Sequence, residues 1–127
     1  MAHPRMFDEA DPVLARVREL ALSFPDAREK VSHGRPAFFT TKVFAYYGGS
    51  VKVDGDHEQH GHAVLVLVDP GEREALLDRC FIPAYLGPSG WIGMDLTDDT
   101  DWAEIGELLD ASYRRTAGPR RVALLDD

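Results

Sequence analysis

The sequence predicts an α+β domain in which helices pack on a mostly antiparallel sheet. Apolar residues recur at three- and four-residue spacing in some segments, which is typical of amphipathic helices. Other segments are short runs rich in β-branched and aromatic residues, which is typical of strands. The turns between neighbouring runs are too short for the crossovers that parallel strands need, so an antiparallel sheet is expected.

Helices are predicted where an aspartate that can cap the first turn precedes an apolar stripe. Asp11 and Asp69 are each followed by proline, the residue favoured at the first helical position. Asp101 is followed three residues later by Glu104, as in a capping box. The predicted helices cover about residues 12–23, 70–79 and 102–117, and Gly118-Pro119 ends the last one.

Strands are predicted in the stretches between these helices. The run from His62 to Val68 is almost continuously apolar, which favours an interior strand covered on both faces. The polar stretch from Asp54 to Gly61 is expected to be a loop. The segments Phe81–Tyr85 and Trp91–Leu96 are expected to pair around the turn at Leu86–Gly90. Further strands are predicted at 37–41, 43–47 and 50–53, with a turn at Gly48-Gly49 before the last.

The length of 127 residues predicts a single domain over residues 1–127, with flexible ends at 1–10 and 118–127. Met1 to Phe7 lacks the apolar core of a signal peptide, and no apolar run approaches the length that spans a bilayer. Cys80 is the only cysteine, so an internal disulfide is excluded. We therefore expect a cytoplasmic protein without a membrane partner.

The charge is unevenly distributed along the chain. The net charge of −8 argues against a protein that coats nucleic acid. Residues 27–53, however, carry five basic side chains against one acid, and residues 114–121 carry four arginines and no acid. These two segments leave room for a local anion-binding face.

Short motifs along the chain, in a fixed order, resemble the MmcQ/YjbR family of small bacterial proteins. The motifs are LALSFPDARE at 20–29, HGRPAF at 33–38, KVFA at 42–45, DPGEREALL at 69–77, the Pro83–Trp91 hairpin, and the Asp101-Trp102 helix start with its Tyr113–Arg115 end. The resemblance implies a CyaY-like or type III secretion chaperone-like fold. It also implies a role in binding DNA through a surface described as a double wing.

Two functions follow as alternatives. The first is a non-enzymatic DNA-binding or regulatory protein, and it requires the basic segments to converge on one face. The candidate DNA- or anion-binding residues are His33, Arg35, Lys42, Lys52, Trp91, Arg120 and Arg121. The second is an acidic protein-interaction module or a small-ligand-binding protein with no nucleic-acid role, and dispersal of these cations would favour it. DNA or a protein is the expected partner, and the chain is expected to be a monomer or weak homodimer.

No residue pattern predicts a catalytic centre, so we expect no enzyme, no cofactor and no metal site. The nearest approach to a metal site is a cluster of acids and histidines. Its members are Asp54, Asp56, His57, Glu58, His60 and His62. His60 and His62 would share a face of an extended strand, yet the polar stretch is more typical of a solvated hairpin tip. Trp91 and Trp102 are expected to be packing anchors, and Cys80 a small core residue.

Overall fold

The computed structural model describes residues 4–126. The helices are α1 (Pro12–Leu22), α2 (Pro70–Leu76), α3 (Trp102–Thr116) and α4 (Pro119–Leu125), and a 3-10 turn covers Gly87–Ser89. The strands are β1 (Arg28–Ser32), β2 (Arg35–Phe39), β3 (Val43–Val53), β4 (Asp56–Leu67) and β5 (Trp91–Asp95).

All five strands form one antiparallel sheet in the order β1-β2-β3-β4-β5, so each strand pairs with its neighbour in sequence. Helices α1 and α3 pack against β3 and β4 and against each other. The core between these helices and the sheet includes Leu14, Phe44, Val66 and Ile105. The predicted α+β fold with an antiparallel sheet is confirmed. No helix within residues 4–126 combines the length and apolar character needed to cross a bilayer.

The helix caps form as the sequence predicts. The Asp11 carboxylate accepts a hydrogen bond from the Val13 N–H at 2.9 Å. The Asp69 carboxylate accepts one from the Glu72 N–H at 3.0 Å. Asp101 caps α3 in the same way, through the N–H of Ala103. Each cap satisfies a backbone donor that a first helical turn leaves without a partner.

The long hairpin β3–β4 differs from the prediction. The loop expected from Asp54 to Gly61 shrinks to Asp54-Gly55, and β4 begins at Asp56. Both turn residues have positive φ, +49° and +87°, as a type I′ hairpin turn requires. The turn expected at Gly48-Gly49 is also absent, because β3 continues through both glycines with an irregular register.

The predicted strand Phe81–Tyr85 is wrong beyond its first residue. Phe81 pairs with Gly93 through two backbone hydrogen bonds of 2.8 and 2.9 Å. Pro83 lacks the N–H that a ladder would use, and the chain leaves the edge of the sheet. The Ala84 N–H then donates to the carbonyl of Ser50 on β3, at 2.7 Å. The segment therefore crosses from β5 to β3.

Two further elements were not predicted. Strand β1 lies at the edge of the sheet and is mostly exposed, so it lacks the apolar alternation that marks a half-buried strand. Helix α4 follows Gly118, whose φ of +91° redirects the chain after α3. Residues 1–3 and 127 of the predicted flexible ends lie outside the described residues.

Candidate ligand-binding groove

The sheet face opposite α1 and α3 carries a groove of about 630 Å³. Tyr46 on β3 and Leu65 on β4 are cross-strand partners and form its floor. The groove is lined by Met6, Ser32, His33, Arg35, Tyr46, Gly48, Gly49, Ser50, His57, Gln59, Leu65 and the segment 83–86. Its size matches the clefts that hold small ligands.

The segment Pro83–Leu86 forms a wall of the groove and is fixed at both ends. Phe81 anchors one end, because its ring stacks on His60 with centroids 4.1 Å apart. Gly93 makes this possible, since a Cβ at that position would overlap the Phe81 ring. The hydrogen bond from Ala84 to Ser50 fixes the other end.

Arg35 reaches across the groove from the start of β2. Its guanidinium lies against Gly48 on β3, where a Cβ would overlap it. Its Nη2 group donates a hydrogen bond to the Gln59 side-chain oxygen on β4. Gly48 has a φ of +85°, a conformation that glycine adopts without strain. The missing Cβ of Gly48 therefore leaves the space that the Arg35 guanidinium occupies.

Among the residues that the structure describes, no carboxylate neutralises the charge of Arg35. Burial lowers the pKa of Arg35, although an arginine stays protonated in a protein. Hydrogen-bonded carboxylates instead raise the pKa of Arg18 and Arg114. Within residues 4–126, Arg35 makes no ion pair. Several of its N–H donors thus remain available to an anion.

An aromatic pair stands at the mouth of the groove. The Tyr85 side chain is 83% exposed, and its ring stacks on His57 with centroids 5.6 Å apart and planes 18° apart. The Tyr85 hydroxyl lies 3.3 Å from His57 Nε2. Tyr85 has a φ of +69°, which is unusual for a bulky residue and costs conformational energy.

Basic side chains continue from the groove towards the edge of the sheet. Arg28 and Lys30 on β1 lie opposite Phe39 and Ala37 on β2. These two partners share a sheet face with Arg35, so both cations lie on the face that carries Arg35. Both cations lie over the Phe39 ring, 5.2 and 4.7 Å from its centroid. The groove side of the sheet is therefore locally positive in an acidic protein.

The structure separates most of the residues predicted to bind anions. His33 and Arg35 line the groove. Arg120 and Arg121 line a different cavity, where Arg121 pairs with Asp26 at 3.0 Å. Lys42 and Lys52 are exposed, in the β2–β3 turn and near the tip of β3, and Trp91 is buried with its ring 5.3 Å from that of Tyr46.

The histidines of the acidic cluster point in different directions. The expectation that His60 and His62 share a face is wrong, because β4 bulges here. Its five residues His60–Val64 lie opposite the three residues Tyr47–Gly49 of β3. This bulge turns His60 towards Phe81 and His62 towards the helices. Within residues 4–126, no group of three or more His, Cys, Asp or Glu side chains is placed to hold a metal ion.

Asp11 joins α1 to the sheet on the face opposite the groove. Its buried carboxylate accepts a hydrogen bond from the Tyr47 hydroxyl, and His62 Nδ1 lies 3.1 Å away. Burial raises the pKa of Asp11, but the hydrogen bonds from Tyr47 and Val13 and the charge of His62 outweigh it, so the pKa is lowered. Burial and the bond to Asp11 raise the pKa of Tyr47.

Sequence reasoning missed the groove residues Tyr46, Gln59 and Tyr85. Tyr46 belongs to a predicted strand, and the period of two could have shown that it faces away from Ala45 and Tyr47. Gln59 was assigned to a loop, although Asp54-Gly55 is a strong hairpin signal. The position of Tyr85 depends on a backbone conformation for which the sequence carries no local signal.

The comparisons with known proteins settle the family. The model of the YjbR family matches residues 22–115, well over half of the chain. The chain belongs to the YjbR family. The crystal structure of Deinococcus radiodurans protein DR2400, which has a DUF419 domain, is similar with a TM-score of 0.54. Its sequence is 17% identical, and the match covers 79% of this chain and 75% of that one, so the likeness concerns the fold. None of the curated proteins compared with the chain matches it.

The YjbR match contains the whole sheet and almost the whole groove. Strands β1 to β5 and α3 up to Arg115 fall within residues 22–115. Met6 is the groove-lining residue that lies outside this range. The groove is therefore built from the part of the chain that carries the YjbR signature.

Proposed function

We propose that this YjbR-family protein is a non-enzymatic protein that binds a small organic ligand in the groove on the open face of its sheet. The observation that carries the proposal is the groove itself, in which an apolar floor meets a few polar groups from different strands. Tyr46 and Leu65 supply the floor, and Arg35 and Gln59 supply polar groups. Small-molecule sites in proteins have this composition.

The dispersal of the basic residues supports this proposal over the DNA-binding alternative. A protein that follows a nucleic-acid backbone needs cations along a continuous surface. Here Arg121 lies in another cavity and is paired with Asp26, and Lys42 and Lys52 lie outside the groove. Arg35 is the one arginine or lysine among the described residues that line the groove, and a single cation fits a ligand with one anionic group better than a duplex.

Chemical-shift mapping tests the proposal. Small aromatic compounds of positive, negative and neutral charge are added in turn to ¹⁵N-labelled protein. We expect at least one to shift the amide signals of Gly48, Gly49 and Ala84, which line the groove, while Gly118 in the other cavity serves as the control. The proposal fails if no compound moves the groove signals, or if Gly118 moves as much.

DNA binding is the second candidate, and one observation favours it. Arg28, Lys30 and Arg35 lie on the same sheet face and form a short basic row. Binding to duplex DNA would weaken as salt rises, with a slope set by the number of phosphates contacted. A double variant Arg28→Glu/Lys30→Glu should lower the slope by about 2. Absence of binding at low salt would dismiss this candidate.

The proposal keeps several predictions from the sequence. The protein is expected to act in the cytoplasm, to lack enzymatic activity, and to be a monomer or weak homodimer. The CyaY-like or secretion chaperone-like arrangement is likewise the expectation from the family resemblance. Light scattering coupled to size-exclusion chromatography measures the mass and tests the oligomeric state.

A further inference from the structure

We infer that the groove selects an organic anion, whose carboxylate or phosphate group binds Arg35 while a flat apolar body lies on Tyr46 and Leu65. This inference rests on the proposed function, because it names the class of ligand for the same groove. Three features of the described residues carry it: the Arg35 charge, which makes no ion pair, the groove floor, and the aromatic pair at the mouth.

Arg35 is a half-buried cation with a polar partner, and no carboxylate in the described part of the chain pairs with it. Removing a charge from water is costly unless an opposite charge or several hydrogen bonds compensate it. Gln59 occupies one side of the guanidinium through Nη2. A guanidinium has five N–H donors in a fork that fits a carboxylate or phosphate, so an anion would complete the site.

The protein also holds this guanidinium in place before a ligand arrives. Gly48 leaves the space that the Arg35 head occupies, and any side chain there would overlap it. Gln59 fixes its orientation from the next strand. A preorganised arginine loses little side-chain entropy on binding, which favours affinity for a single anionic group.

The rest of the groove fits a flat apolar body. The Tyr46 ring and the Leu65 side chain line its floor. Gly49 has no side chain, and a Cβ there would press within 3.0 Å of Leu65, so the floor is low at this point. Burial raises the pKa of the Tyr46 hydroxyl, which therefore stays neutral and does not repel an anion.

Tyr85 and His57 supply an exposed aromatic surface beside this floor. The pair is already stacked, and Tyr85 is 83% exposed. Pro83 and Ala84 hold the backbone beside it as a groove wall. Aromatic side chains prefer offset or edge contacts with other rings, so an aromatic ligand body would be covered on this side as well.

Four probes of similar size separate the contribution of the charged group from that of the aromatic ring. Benzoate and phenyl phosphate are the anions, benzyl alcohol is the neutral compound, and benzylamine is the cation. Dissociation constants are measured by titrating each probe while following the amide signals of Gly48 and Ala84. We expect both anions to bind at least about tenfold more tightly than benzyl alcohol, because only an anion forms charge-assisted hydrogen bonds with Arg35. Benzylamine should bind most weakly, because its charge repels that of Arg35.

Two variants test the role of Arg35 in this preference. Arg35→Gln should abolish the preference for anions, so that benzoate and benzyl alcohol bind the variant with similar dissociation constants. Gly48→Ala should weaken anion binding by displacing the guanidinium. Gly55→Ala is its matched control, because Gly55 has nearly the same φ, +87° against +85°, and a Cβ there meets no atom within 4 Å.

The outcomes distinguish this inference from the proposed function. Benzyl alcohol binding the groove as tightly as benzoate would overturn the inference and leave the binding function standing. An anion preference that survives in Arg35→Gln would overturn it as well. If no probe shifts the groove signals of the wild-type protein, the proposed function itself fails. Should Gly48→Ala fail to fold, Arg35→Gln alone decides the role of the arginine.

Discussion

At the scale of single residues, Gly48 and Arg35 depend on each other. The positive φ of Gly48 belongs to the irregular part of β3, and the missing Cβ leaves room for the guanidinium of Arg35. A residue without a side chain thus determines where the charge of the groove lies. The same pair gives a prediction about stability.

The variant Gly48→Ala should destabilise the protein more than Gly55→Ala. Both variants place a side chain at positive φ, which costs about 1–2 kcal/mol. In Gly48→Ala the new Cβ also overlaps the Arg35 guanidinium, whereas in Gly55→Ala it meets open space. The overlapped atoms are the flexible end of the Arg35 side chain, so the added loss should be about 0.5–1.5 kcal/mol, the net value of the hydrogen bond to Gln59 that the displaced guanidinium gives up. Urea denaturation measures the two free energies of unfolding, and equal losses would contradict the assigned contact.

Asp11 gives a prediction about acid stability. Its carboxylate caps α1 and accepts the Tyr47 hydroxyl, and His62 lies beside it. Because the pKa of Asp11 is lower in the folded than in the unfolded protein, its ionisation stabilises the fold above about pH 4. That stabilisation is lost as the pH falls below about 4 towards the lowered folded pKa.

The variant Asp11→Asn isolates this effect, because asparagine caps a helix about as well as aspartate. We expect the free energy of unfolding of the wild type to exceed that of the variant at pH 6, and the difference to shrink as the pH falls below about 4. Tyr47→Phe is a second variant that removes the hydroxyl and should reduce the same difference. A difference that stays constant from pH 6 to pH 3 would refute the account of Asp11.

At the scale of elements, the segment from Phe81 to Leu86 acts as the wall of the groove. It pairs with β5 at Phe81 and with β3 at Ala84, so its two ends are joined to different strands. Its side chains also contact β4, where Tyr85 stacks on His57 and the Phe81 ring stacks on His60. Removing the Phe81 ring should therefore loosen the wall, while the packing on the helix-covered face of the sheet stays intact.

Phe81→Ala should speed hydrogen exchange at the Ala84 amide. The Ala84 N–H is protected by its 2.7 Å bond to Ser50, which depends on the wall staying in place. We expect exchange to rise at least about tenfold, because losing a half-buried ring weakens packing by about 1–3 kcal/mol. The Leu96 amide, bonded to the His62 carbonyl at 2.8 Å, is the internal control. Equal acceleration at both amides would mean global destabilisation and contradict this role of Phe81.

The elements also show what the sequence can and cannot predict. The caps at Asp11, Asp69 and Asp101 made the helix starts predictable, because a cap is a local hydrogen bond. The hairpin β3–β4 was only partly predictable, since its outer half is polar and lacks apolar alternation. The wall from Phe81 to Leu86 was mispredicted because its path depends on bonds to two distant strands.

The candidate site was also predictable only in part, because tertiary contacts decide which of its residues come together. Arg35 was expected at an anion site from the local excess of basic residues. Its separation from Arg120 and Arg121 follows from tertiary packing, because α4 places those two in another cavity. The bulge that turns His60 and His62 to opposite faces depends on the register of β3 and β4.

At the scale of the whole molecule, the sheet has one face covered by helices and one face that holds the groove. Helices α1 and α3 pack against β3 and β4, whereas the groove on the other face lies beneath the wall formed by the segment 83–86. The net charge is −8, yet Arg28, Lys30 and Arg35 all lie on the groove face. An acidic protein with a local basic surface would repel a long polyanion and still attract a small anion.

The central claim is that the groove binds an organic anion through Arg35. A crystal structure of the protein with phenyl phosphate tests it most directly, because it shows both the position and the contacts of the ligand. We expect the phosphate on the Arg35 guanidinium and the phenyl ring over Tyr46 and Leu65. Phenyl phosphate bound in the cavity of Asp26 and Arg121 instead, with the groove empty, would contradict it.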